Sequence, residues 1–253
     1  MIRTRWNFEI DRMSAVSLES RNGLPDAEAC LQWEQQCFAE FTGTDGPQLI
    51  LWQSAPAVVV SRSDQRLPRF ADAAEQMANR GWPVVLRRSG GTAVPQGPGM
   101  LNITWLTAPG EGPTGLRKDY DRFAQLLLRG FAFTGLDLSM GANAGSWCDG
   151  DFNLQCNGLK VGGTAQRRSG AKVMCQLAVA VDMPNRILLD AVNDFYERSG
   201  AEFRASPEAS TDLHSEGVAK GLKVTSEWLA EGLISELKKQ SPTLQWRSMG
   251  LGK

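Results

Sequence analysis

Residues 146–168 read SWCDGDFNLQCNGLKVGGTAQRR. Asn157-Gly158 is the pair a two-residue hairpin favours, because a type I′ turn needs φ > 0 at both central positions, and alternating apolar and polar residues flank it on both sides. The stretch therefore predicts two antiparallel strands. Cys148 precedes Asp149-Gly150, a turn pair, which predicts a loop at the edge of the hairpin for the thiol. Lys160 opens the returning strand, and pairing can carry its amine back towards the end of the sheet that holds Cys148. A cation placed there lowers a thiol pKa from about 8.5 and raises the thiolate fraction without any histidine. The residues leave a second reading open, since a free cysteine is commonly a small buried hydrophobe and a lysine a solvated charge.

Upstream, residues 87–99 read RRSGGTAVPQGPG. Two arginines end a strand over 84–86, and Gly90-Gly91 lets backbone N–H groups approach a ligand with no Cβ in the way. Pro95 and Pro98 stiffen the loop because proline fixes φ. The spacing is neither a P-loop nor GxGxxG, so a plain bend between strands fits equally well. Arg87, Arg88, Ser89, Gly90, Gly91 and Thr92 are candidates for lining a substrate channel, with Gly163, Thr164 and Ala165 of the hairpin.

The rest of the chain alternates helices and strands. Ala29, Trp33, Cys37 and Phe41 recur at helical spacing and predict one face of a helix over 25–41. LILW (49–52) and AVVV (57–60), separated by Ser-Ala-Pro, predict a pair of strands. A helix over 69–81 closes on Gly81, and a strand over 101–106 follows. Tyr120, Phe123, Leu127 and Phe131 form the core stripe of a helix within 116–135. Residues 172–182 predict a buried strand, and 188–200 begin the tail. In the helix over 225–240, Trp228, Leu229, Leu233 and Leu237 share a side.

The chain has 253 residues and 42% hydrophobic content, ample for one large domain. The expected architecture is α/β or α+β, with a catalytic unit over 1–200 and a linker and helix over 201–253 packed on it. Lys and Arg total 27 against 28 Asp and Glu, a net charge of -1, so no basic field draws the chain to nucleic acid or anionic lipid. Residues 1–13 have no apolar core of leader length, and no segment approaches the roughly 18 apolar residues of a membrane span, so a cytoplasmic place is expected. Five cysteines without CxxC spacing point to free thiols, with no disulfide framework and no metal site. His214 is the one histidine, in a polar, Ser-rich stretch that reads as surface.

Taken together, these segments resemble the superfamily of biotin/lipoate protein ligases and lipoyl/octanoyl transferases. RRSGGTAV is similar to its RRxSGGGAV ligand loop and NGLKVGGTAQRR to its GxKxxGxAQxR strand, and with SRSDQRLP (61–68) the likeness covers roughly residues 45–182. The resemblance implies a mixed, mainly antiparallel sheet flanked by helices, of the biotin/lipoate ligase catalytic-domain type. WCDGDFNL is most similar to the YCPGDYDL-type segment of cysteine-dependent octanoyl amidotransferases, which places Cys148 on the thioester-forming position and Lys160 on the family's lysine. It implies transfer of an octanoyl or lipoyl group onto a lysine of a lipoyl carrier domain, with the glycine cleavage H protein as donor or partner and no cofactor. Lys160 would then hold the thiolate and the oxyanion, helped by backbone N–H groups near Thr164 or Gly91. Burying six methylenes at about 0.8 kcal/mol each supplies roughly 5 kcal/mol for choosing chain length. Histidines common in the ligases are replaced here by Gln96 and, approximately, Cys175, which favours the amidotransferase branch. The alternatives are a ligase using ATP and Mg, in which Cys148 is incidental, and a lipoyl-binding protein without turnover.

Overall fold

The computed structural model describes residues 13–19, 23–44, 46–110 and 115–250, so the reading of 1–12 as free of a leader lies outside the described residues. Eight strands form the large sheet: β1 (Ser14–Glu19), β2 (Gln48–Trp52), β6 (Met100–Thr107), β7 (Leu138–Gly141), β8 (Asn153–Cys156), β9 (Leu159–Ser169), β10 (Lys172–Ala180) and β11 (Gln245–Gly250). Their order is β11-β1-β2-β6-β10-β9-β8-β7. β1 runs parallel to both its neighbours and every other pairing is antiparallel, giving the mixed, mainly antiparallel sheet expected from the resemblance. β3 (Ala57–Val60), β4 (Val84–Leu86) and β5 (Val94–Gln96) make a second sheet in the order β4-β3-β5.

LILW and AVVV are both strands, yet they do not pair with each other: β2 joins β1 and β6, whereas β3 joins β4 and β5. The Ser-Ala-Pro segment switches the chain between sheets. All four residues of β3 and the last four of β2 are buried, so neither carries the two-residue alternation that marks a hairpin arm with one wet face.

Alternation along the central strands sorts the core. Leu101, Ile103 and Trp105 of β6 and Val173, Cys175, Leu177 and Val179 of β10 pack on α3 (Gly115–Gly130) and α6 (Ser226–Gln240), which supply Phe123, Leu127, Leu229, Leu233 and Leu237. The opposite face meets α1 (Ala27–Glu40) and the small sheet, with α2 (Phe70–Asn79) and α4 (Asn185–Ser199) beyond. On α1 the buried face is Ala27, Cys30, Leu31, Glu34 and Phe38, while Ala29, Trp33, Cys37 and Phe41 are its half-buried flank. A glutamate in the buried stripe broke the apolar pattern and shifted the expected face by one residue.

Residues beyond 200 enter the same core through Leu213 and Val224. Thr211 N–H donates to the Lys160 carbonyl at 2.8 Å, and Ser206 N–H to the Gly145 carbonyl at 2.8 Å, so this segment braces the hairpin and the loop before it. Among the described residues no helix is long and apolar enough to cross a membrane.

Candidate active site

Two loops meet where the small sheet covers the large one: the β4–β5 connection (87–93) and the β7–β8 connection (142–152). Cys148 sits on the second with φ +44°, and Asn157 (φ +50°) is the other non-glycine residue with positive φ among those described. Asn157 is accounted for by its type I′ turn with Gly158 (φ +82°), as the Asn-Gly pair predicted. Cys148 lies in a turn with Trp147 that holds no glycine to take the left-handed conformation. A left-handed non-glycine residue costs on the order of 1 kcal/mol, and the surroundings must hold it there.

Lys160 does the holding. It is wholly buried, and Nζ donates to the carbonyls of Trp147 and Cys148, the latter at 2.6 Å, while lying 4.2 Å over the Trp147 ring. Burial pulls its ammonium down to about 8, with the charges of Cys148 and Asp149 pushing the other way. Its amine therefore grips the backbone of the cysteine loop, whereas the spacing had suggested contact with the thiol.

The sulfur is met from the other loop. Thr92 N–H donates to Cys148 Sγ at 3.3 Å, and Arg87 Nη2 lies 3.9 Å from it. Arg87 is itself fixed by four hydrogen bonds to carbonyls: Nε and Nη2 to Gly90, Nη1 to Val59 at 2.8 Å and Nη2 to Thr92 at 2.6 Å. The cation at the sulfur is thus Arg87, expected as a channel residue. Gly91 (φ +94°) makes this approach possible, since a Cβ there would stand 2.8 Å from Sγ and 2.9 Å from Arg87 Nη2. Gly90 has nothing within 4 Å of such a Cβ.

Behind the loop, Ala93 N–H donates to the Tyr196 hydroxyl at 2.8 Å, which donates to Asp64 Oδ1 at 3.2 Å, and Asp64 Oδ2 accepts from Ser61 N–H at 2.8 Å. Tyr196 carried no signal in the sequence. Asp64 lies in SRSDQRLP, and the structure shows why that segment accompanies the glycine loop.

A cleft of about 470 Å³, counting its open mouth, leads from Cys148 across the large sheet. Arg87, Ser89, Gly163, Thr164 and Ala165 line it as expected. Ser89 is 6% exposed and its hydroxyl has no hydrogen-bond partner among the described residues. Gly91 and Thr92 stand beside the sulfur, while Arg88 and Gly90 are exposed outside the cleft. Thr164 Oγ1 donates to the Phe152 carbonyl at 2.7 Å, tying β9 to the cysteine loop.

All five cysteines are free. Burial pushes the thiols of Cys30 and Cys175 to about 12 and those of Cys37 and Cys156 to about 11, leaving them inert near neutral pH. His214 Nδ1 bonds the Val224 carbonyl at 3.0 Å and lies outside the cleft. Among the described residues no group of three His, Cys, Asp or Glu side chains is placed to hold a metal ion.

Residues 26–224 match the family model described as the lipoyl protein ligase A/B catalytic domain. A protein of Kyrpidia tusciae named octanoyl-[GcvH]:protein N-octanoyltransferase is 34% identical over 180 residues, 66% of this chain and 62% of that protein. One of the same name from Exiguobacterium sibiricum is 32% identical over 153 residues, 60% of this chain and 56% of its own. The matched region thus spans about three fifths of these relatives' lengths. A crystal structure of lipoate-protein ligase A bound with ATP shares the fold at 14% identity, with a TM-score of 0.71 over 96% of this chain and 90% of that one.

Proposed function

We propose, from the premise that this chain belongs to the lipoyl protein ligase A/B catalytic-domain family, that it moves an octanoyl or lipoyl group through a Cys148 thioester onto a lysine of a lipoyl carrier domain. The observation that carries this is the sulfur itself: it sits on a strained loop at the head of a cleft, between a backbone N–H and a buried guanidinium. Relatives named as octanoyl-[GcvH]:protein N-octanoyltransferases support the choice of acyl group and of an H protein of the glycine cleavage type as donor.

In the first step the Cys148 thiolate attacks the donor carbonyl. The tetrahedral anion collapses to the acyl thioester as the C–N bond breaks, and the donor's amine leaves with a proton taken from solvent. In the second, the neutral ε-amine of the acceptor lysine attacks that thioester, an amide forms as the C–S bond breaks, and the thiolate is released while the amine's proton returns to solvent. One acyl bond is exchanged for another in each step, so no ATP or metal is needed. Arg87 and Thr92 N–H stabilise the thiolate and the anion that follows, because donors fixed beforehand need no reorganisation during reaction. Lys160 keeps Cys148 in its left-handed conformation, and Ser89, Gly163, Thr164 and Ala165 seat the start of the acyl chain. A mechanism that needs a free thiol fits the reducing cytoplasm.

The test is a transfer assay with octanoylated H protein as donor, an apo lipoyl domain as acceptor and no nucleotide. The acceptor should gain octanoyl, and Cys148→Ser should abolish the gain, since a hydroxyl of similar size does not ionise near pH 7. Transfer that persists in Cys148→Ser, or that appears only with ATP, Mg and free acid, would replace this reading with a ligase.

A further inference from the structure

The register of the sheet lays out the floor of the cleft. Gly163, Ala178, Asn102 and Trp52 are successive partners across β9, β10, β6 and β2, and Ala165, Gln176 and Thr104 form the neighbouring row. Cross-strand partners point to the same face, so the floor begins with small residues beside Cys148 and becomes polar further on. Strands lie about 4.8 Å apart, which puts β6 roughly 10 Å from β9. An extended eight-carbon acyl chain has seven C–C bonds of about 1.5 Å each and reaches roughly 9 Å in zigzag, so its end falls over β10 and β6.

Polar groups wait there among the apolar walls of Leu31, Val59 and Val94. Glu34 of α1, 1% exposed, lines the cleft and accepts from Trp52 Nε1 at 3.2 Å, from the Thr104 hydroxyl and from Gln176 Nε2. No salt bridge reaches Glu34 among the described residues. Burial raises its carboxyl pKa, while the hydrogen bonds from Thr104, Trp52 and Gln176 pull the other way. Gln176 Oε1 is buried with no partner, and whichever way round the amide is assigned, the pair is left one hydrogen bond short. Beside them Gln96 and Asn102 bond each other reciprocally at 2.7 and 3.2 Å. A pocket meant only for a methyl end would not leave a buried, unpartnered amide oxygen in its wall, since polar groups left against hydrocarbon are unfavourable.

We propose, resting on the acyl-transfer reading above, that this cleft selects an acyl chain of about eight carbons whose far end carries a neutral oxygen or nitrogen hydrogen-bonding group, with Glu34 and Gln176 as the residues that read it. Plain octanoyl is then accepted as a poorer fit. The group is neutral because a carboxylate there would face the Glu34 carboxyl, which no salt bridge offsets among the described residues.

Calorimetric titration of the Cys148→Ala protein with octanamide and 8-hydroxyoctanamide tests this without turnover, as no thiol is present at that position for either amide to acylate. The hydroxylated chain should bind about tenfold more tightly, one good hydrogen bond's worth. Gln176→Leu, checked for an unchanged fold by thermal melting, should remove or invert the preference, and Glu34→Gln, which keeps a hydrogen-bonding side chain, should retain most of it. Should Gln176→Leu fail to fold, Gln176→Met serves the same purpose. Equal affinities, tighter octanamide, or no binding of either would overturn the proposal. Binding with the predicted preference, combined with no loading of Cys148 by the corresponding thioesters, would overturn only the acyl-transfer reading.

Discussion

At the scale of the residue, Lys160 is the clearest case of a role revised by geometry. Its amine is spent on two backbone carbonyls and so fixes the conformation of Cys148. Lys160→Met keeps the hydrocarbon and removes the amine, and transfer should fall about 10²-fold, the loss that follows when a reacting group is displaced by about 1 Å. The same variant has a signature in stability. Because burial holds the ammonium at about 8 against an ordinary 10.5, the unfolded chain binds more protons at this group between those values, and its contribution to stability rises with pH across that window, while the buried thiols act the other way. In urea unfolding at pH 7.5 and 10.5, Lys160→Met should therefore lose more stability over this interval than wild type does. Gly91→Ala and Gly90→Ala form a second test of local geometry. A Cβ at Gly91 strikes the sulfur and demands a left-handed alanine, so transfer should drop at least tenfold, whereas at Gly90 it enters open space and transfer should be unchanged.

At the scale of the element, the chain's own signals went a long way. The Asn-Gly hairpin, the four-residue apolar spacing of α3 and the stripe of α6 are local patterns, and each appears where its period indicates. What a local pattern does not carry is partner choice. The last four residues of β2 and all of β3 are buried, yet the two strands went to different sheets, and β5 hides in a Pro-rich loop because only three residues of it pair. Glu34 broke the stripe of α1 for a reason visible only in three dimensions, its bonds to three strands. The packing of α6 can be tested directly: Leu233 is fully buried against α3 and the sheet, so Leu233→Ala should cost about 2–5 kcal/mol in urea unfolding with the m-value unchanged. A loss below about 1 kcal/mol would mean that α6 contributes little to the core.

At the scale of the molecule, the site is an assembly of distant segments. Arg87 and Cys148 are 61 positions apart in sequence, Tyr196 braces the glycine loop from α4, and residues 206–211 brace the cysteine loop from beyond the matched strands. Cys148 and Lys160 were legible because hairpin spacing and a family motif coincide on them. The nearness of Arg87 to the sulfur was not, since it depends on how two sheets stack, and neither arginine of the pair is distinguished by sequence from the other. The structure distinguishes them: Arg87 is buried beside the thiol and Arg88 is exposed. All of this converges on a single atom, and the most direct measurement is the intact mass of the protein after incubation with octanoylated H protein and no ATP. The account predicts one octanoyl adduct, removed by hydroxylamine, mapped to the peptide containing Cys148 and absent from Cys148→Ala. An adduct that survives in Cys148→Ala, or that forms only when ATP and free octanoate are supplied, would contradict it.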